Sequence, residues 1–130
     1  MCCVEDKIYY LRRDDCEVSE YNPQSDTWRS IPSLQRDRGY GCRVCCTLDK
    51  KIFLLGGGDI TCEMLDLCDD DLQWRYIASM NNVHHGDGDA VVIEKMIYVL
   101  GGGDTKVQVQ LYDVDQGKFI EYLPLFCTGR

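Results

Sequence analysis

The stretch Ile52 to Asp59, IFLLGGGD, returns almost intact as IYVLGGGD from Ile97 to Asp104, and this near-duplication constrains the fold more than any other feature of the chain. An eroded copy, IYYL at Ile8 to Leu11, precedes both and continues as Arg12-Arg13-Asp14-Asp15 in place of the glycines and aspartate. Each copy is an apolar run short enough for one β-strand, halted where the chain must turn with no Cβ in the way. The residues downstream repeat as well. Glu20-Tyr21-Asn22-Pro23 and Thr27-Trp28-Arg29-Ser30-Ile31-Pro32 follow the first copy. Met64-Leu65-Asp66-Leu67 and Gln73-Trp74-Arg75-Tyr76-Ile77-Ala78-Ser79-Met80 follow the second. Gln110-Leu111-Tyr112-Asp113-Val114 and Lys118-Phe119-Ile120-Glu121-Tyr122-Leu123-Pro124 follow the third. Self-similarity with a period in the forties indicates an array of like units.

The ordered set resembles the kelch repeat over nearly the whole chain. Its elements are the glycine run closing a strand, the Tyr-Asp/Asn pair, the Trp (Phe119 in the third unit), the following Pro or Met, and a lead-in of Arg or His with spaced glycines. The lead-ins are Arg36-Asp37-Arg38-Gly39-Tyr40-Gly41 and His84-His85-Gly86-Asp87-Gly88. The resemblance implies an all-β fold of propeller blades, each of four antiparallel strands. Residues 1–35 then form a blade lacking its first strand, 36–80 and 81–124 two full blades, and 125–130 a linker toward a further blade. Propellers close with roughly 4 to 8 blades, and a kelch unit takes about 50 residues. A chain of 130 residues is therefore expected to form an incomplete propeller of about three blades. Two copies completing a ring of about six is a further expectation.

Composition excludes some partners. The formal charge of −8 argues against nucleic acid, whose phosphates call for clustered Lys and Arg. No apolar run approaches the roughly 20 residues that span a bilayer, and the start of the chain lacks a signal-peptide apolar region. Nine cysteines would suit a disulfide scaffold, but the number is odd. Cys45 and Cys46 in VCCTL, and Cys62 beside Glu63-Met64, stand at ordinary apolar strand positions. Free cysteine packs as a small hydrophobe, so reduced structural thiols and a cytoplasmic address are expected.

Several local patterns suggest ligands and lose to the repeat. Cys42-x-x-Cys45 has metal-pair spacing, but no second pair completes it, and positions i and i+3 of a strand point to opposite faces. The glycines from Gly56 lack the Gly-Lys-Ser/Thr of a phosphate loop. Asp66 to Asp71 holds four aspartates without the glycine and closing glutamate of a calcium loop, and reads as a solvated turn. His84-His85-Gly86-Asp87-Gly88-Asp89 is the most metal-like stretch, yet falls where the repeat places a polar lead-in. No cofactor and no metal are expected. Trp28 and Trp74, at one repeat position, are read as packing contacts between blades rather than as ligand-stacking groups.

No catalytic constellation assembles, so an enzyme is the weaker reading, although some kelch propellers are oxidases or mutarotases. The resemblance to kelch-like adaptors implies a face of converging loops that holds a segment of a client protein. In that family a separate BTB domain couples the client to a cullin-type ubiquitin ligase. No such domain is present here, so recruitment is implied for a longer parent. Cytoskeletal binding, as in actin-bundling kelch proteins, is the alternative. By motif position the candidate contacts are Arg12, Arg13, Asp59 and Asp104 after the strand ends, with Arg36, Asp37, Arg38, Tyr40, Asn82, His84 and His85 in the linkers. Arg and Tyr are frequent interface anchors. Arg36 is equally readable as a lead-in arginine bonding to carbonyls of the neighbouring blade. Where Arg12-Arg13 replace the glycines, the turn is expected to be either strained or re-aimed.

Overall fold

A computed structural model describes residues 2–12, 16–36, 43–56, 60–80, 89–100 and 108–124, the side chains of 43–46, 89, 108 and 121–124 excepted. These residues form three four-stranded antiparallel sheets in simple chain order. The first contains β1 (Cys2–Val4), β2 (Lys7–Leu11), β3 (Val18–Asn22) and β4 (Thr27–Ile31). The second contains β5 (Arg43–Leu48), β6 (Lys51–Gly56), β7 (Cys62–Asp66) and β8 (Arg75–Ile77). The third contains β9 (Asp89–Ile93), β10 (Met96–Leu100), β11 (Gln108–Asp113) and β12 (Lys118–Pro124). The all-β, three-blade expectation is met.

The first blade is complete, which corrects the reading that it lacks its first strand. Cys2, Cys3 and Val4 pair with Tyr9, Ile8 and Lys7 across a turn at Glu5-Asp6. Two-residue hairpins favour φ > 0 at one or both central residues because that twist matches the strands. Glu5, Asp49, Lys50 and Glu94 all adopt positive φ in the corresponding turns of the three sheets.

The turn between third and fourth strands explains the Tyr-Asp/Asn motif. Asn22 Oδ1 accepts the Gln24 N–H at 3.0 Å, Asp66 Oδ1 that of Cys68 at 3.0 Å, and Asp113 Oδ1 that of Gln116 at 3.1 Å. A short side-chain carbonyl or carboxylate thus mimics a backbone turn at one place in every blade. The acidic run works in the same manner: Asp69 Oδ1 accepts the Asp71 N–H at 3.1 Å, and Asp71 Oδ2 accepts from Gln73 Nε2 at 2.8 Å.

Strand alternation gives each sheet two apolar faces, and the core lies between sheets. Tyr9, Leu11, Val18 and Ile31 of the first blade pack with Ile52, Leu54, Leu65 and Trp74 of the second. Phe53, Leu55, Cys62 and Met80 of the second pack with Ile97, Val99 and Tyr112 of the third, Phe119 leaning on the same cluster. Tyr112 lies 4.9 Å from Phe119 and 6.0 Å from Phe53 between ring centroids. Trp74 fulfils the blade-packing role, with 1% of its surface exposed. Trp28 does not: it is 62% exposed and tilts against Tyr21 of its own sheet at 4.8 Å. Its face of the first blade meets no other blade among the described residues. Cys2, Cys3, Cys16, Cys62 and Cys68 are in no disulfide, and Cys62 is fully buried as an apolar strand residue.

Candidate protein-interaction surface

Antiparallel order sorts the connections into two ends. The two-residue turns, at Glu5-Asp6 and Asp49-Lys50, lie at one end together with the Asx-capped turns. The loops after β2 and β6 and the linkers after β4 and β8 lie at the other. Backbone hydrogen bonds tie each linker to its loop: Leu34 N–H donates to the Cys16 carbonyl, and Met80 N–H to the Ile60 carbonyl, both at 2.9 Å.

This second end carries the candidate contacts that the structure describes, Arg12 and Arg36, both exposed. Arg12 follows β2, and its N–H donates to the Glu17 carbonyl at 3.1 Å; Gly56 does the same toward Thr61 at 3.0 Å in the next blade. Gly56 takes φ of 75°, whereas Arg12 is not among the positive-φ residues. The arginine therefore keeps the loop-closing bond without entering the left-handed region, and the rest of the turn lies outside the described residues. Arg13, Asp37, Arg38, Tyr40, Asp59, Asn82, His84, His85 and Asp104 lie outside the described residues.

Two polar features escaped the sequence reading. Glu63, fully buried in β7, accepts the Gln35 N–H at 2.6 Å, while Gln35 Nε2 donates to the Trp74 carbonyl at 2.8 Å. A carboxylate and an amide thus fasten the linker of the first blade onto the second, immediately before Arg36. The signal that could have found it is a polar residue at one repeat position of each third strand, Ser19, Glu63 and Gln110; Glu63 and Gln110 are both fully buried.

The other feature is a chain of three side chains on the first sheet. Tyr9 Oη donates to Glu20 Oε2 at 2.7 Å, and Arg29 Nη2 donates to the same oxygen at 2.9 Å. Burial, then the bond to Glu20, pushes the Tyr9 hydroxyl well above its ordinary range. Burial alone would raise the Glu20 carboxyl, but the bonds from Tyr9 and Arg29 and the guanidinium charge outweigh it, leaving Glu20 below its usual value. These residues border a cleft of about 210 Å³ between the first two sheets, with Val4, Lys7, Lys50 and Leu67. Pockets for small organic ligands run from about 300 to 1,000 Å³, so this cleft is too small for such a site. Among the described residues no group of three or more His, Cys, Asp or Glu side chains is placed to hold a metal ion. Nor is any helix there long and apolar enough to cross a membrane.

The class that this architecture defines is the propeller-blade array, and its three sheets are consistent with kelch blades. The chain is distantly similar, over part of its length, to Kelch-like protein 21. The Bos taurus protein of that name is 34% identical over 117 residues, 85% of this chain and 19% of its own length. Those of Rattus norvegicus and Mus musculus are 37% identical over 60 residues, 46% of this chain and 10% of theirs. The chain thus spans a tenth to a fifth of these relatives. No family model matches it.

Proposed function

We propose that this chain is a protein-binding module that holds a segment of a client protein at the end carrying the β2–β3 and β6–β7 loops and the inter-blade linkers. It acts in the cytoplasm as the substrate-recognition part of a cullin-type ubiquitin ligase adaptor, with ligase recruitment residing in a BTB domain of the parent protein. The carrying observation is the exposure of Arg12 and Arg36 at one end of a blade scaffold similar to a kelch-like protein. Two exposed arginines, Arg12 and Arg36, at one end of a chain of charge −8 favour an acidic client segment.

The test is titration of acidic peptides by fluorescence polarisation against the intact chain. Arg12→Glu with Arg13→Glu weakens binding by about tenfold or more, the loss of one or two charge-assisted bonds. Lys50→Glu with Lys51→Glu, at the opposite end, changes it by less than about threefold. Equal effects overturn the reading. Co-sedimentation of the chain with actin filaments, abolished by the same arginine changes, would replace it with a cytoskeletal role.

A further inference from the structure

The linker after β4 is held from both sides immediately before Arg36. On the first blade, Leu34 N–H donates to the Cys16 carbonyl at 2.9 Å, and Cys16 stands in the loop that Arg12 N–H closes on the Glu17 carbonyl at 3.1 Å. On the second blade, Glu63 Oε1 accepts the Gln35 N–H at 2.6 Å and the Trp74 carbonyl accepts from Gln35 Nε2 at 2.8 Å. Gln35 is exposed, yet both its backbone donor and its side-chain amide are spent on the second blade. Glu63 and Trp74 are almost wholly buried, in a close-packed interior where neither anchor shifts freely. The Cα of Arg36 lies one peptide unit, about 3.8 Å, from that of the clamped residue. The two exposed arginines thus share one frame, Arg12 through its loop and Arg36 through the linker tied to that loop.

We propose that Glu63 is a positioning residue of the client-binding end: through Gln35 it holds Arg36 beside the Arg12 loop, so that a client carboxylate meets an arginine whose backbone is already fixed. This role rests on the client-binding reading above. Glu63, fully buried, acts through the linker rather than on the client directly. Residues 32–36 lie outside any strand, and holding such a segment in advance lowers the ordering cost that a ligand must otherwise meet. A backbone N–H bonded to a carboxylate is held more strongly than one bonded to a neutral carbonyl. The second junction separates what is common from what is particular. Its linker repeats the backbone tie, Met80 N–H to the Ile60 carbonyl at 2.9 Å. The counterpart of Glu63 there is Gln110, fully buried in β11. An amide therefore fits this buried position, and the carboxylate belongs to the linker that carries Arg36.

Charge alone predicts the opposite effect. Glu63 is the second residue of β7, next to the β6–β7 loop at the arginine-bearing end. Deleting a negative group there tightens the binding of an acidic peptide if only the field matters. Positioning predicts a weakening. Glu63→Gln separates the two, because it removes the charge but keeps a carbonyl oxygen that can accept the Gln35 N–H.

The experiment is a double-mutant cycle on the intact chain, read as the affinity for a fluorescein-labelled oligoglutamate peptide by fluorescence polarisation, with far-UV circular dichroism on each variant. Arg36→Ala weakens binding by roughly threefold or more. Glu63→Ala weakens it by roughly three- to tenfold in the unaltered chain but by less than about twofold in the Arg36→Ala background, since residues that act through one another do not add. Glu63→Gln binds as the unaltered chain does, or more tightly. Should Glu63→Ala lose the β spectrum, Gln35→Ala, at an exposed residue, carries the same cycle with the same expected coupling by removing the bond to the Trp74 carbonyl. An equal loss in both backgrounds, an unchanged or tighter affinity for Glu63→Ala, or a Glu63→Gln variant as weak as Glu63→Ala overturns the positioning role and leaves the client-binding reading standing. An Arg36→Ala variant of unchanged affinity instead removes Arg36 from the client-binding end, and the positioning role falls with it.

Discussion

Phe53 and Leu54 are neighbours in β6, yet they belong to different halves of the core, and truncating each should loosen a different part of the molecule. Leu54 is fully buried in the cluster shared with the first blade. Phe53, 2% exposed, is buried in the cluster shared with the third. Deleting a fully buried leucine side chain costs the lost transfer energy plus the cavity left behind, and Leu54→Ala is set at about 3 kcal/mol on that basis. Phe53→Ala is set at about 3 to 5 kcal/mol. Both values should appear as a lowered urea midpoint followed by circular dichroism. The informative readout is where the loss falls. Blades stacked in a row interact mainly with their neighbours, so Leu54→Ala should raise native-state amide exchange chiefly in β2, β3 and β4. Phe53→Ala should raise it in β10 and β11. The factor is about a hundredfold, at about 1.4 kcal/mol per tenfold. If both variants accelerate exchange in the same strands, or uniformly, the two-cluster account of the core is wrong.

Two further outcomes follow from the turns and the buried polar chain. The Glu20 carboxyl is held below its ordinary value in the folded state, so its contribution is complete above the unfolded carboxylate value of about 4.3 and is lost as pH falls through the lower folded one. Tyr9 is raised, so its contribution holds below about 10 and fades as pH climbs past that. Glu20→Gln should flatten the acid limb of a stability–pH profile measured by urea denaturation, and an unchanged acid limb would remove Glu20 from the account. Asp49 and Lys50 both adopt positive φ in the β5–β6 turn, a conformation that Asn-Gly fits far better. Replacing the pair by Asn-Gly should therefore stabilise the chain by about 0.5 to 1 kcal/mol in thermal unfolding, and a destabilisation would contradict the turn geometry.

Much of the fold was legible because the apolar runs before the glycines, the Asx positions and the aromatic positions recur in register. β1 was missed for a physical reason. It is three residues long, two of them cysteines, and only its pairing with Ile8 and Tyr9 reveals it. The fate of Trp28 was equally hidden, since a repeat position reports what a side chain is shaped to pack against and not whether a neighbour is there. At the candidate surface, Arg12 and Arg36 could be placed by their positions after strand ends. The Glu63–Gln35 link could not, because a carboxylate in a strand ordinarily signals solvent, and here it signals a backbone N–H brought in from 28 residues away.

The two faces of each sheet have a consequence for how such a chain can lengthen. The second blade packs one face on the first blade and the other on the third, so a duplicated segment such as residues 36–80, inserted in phase, would keep both of those junctions and add one, between its own two copies. The molecule can grow by whole modules, and the internal likeness of its blades is the trace that such copying would leave.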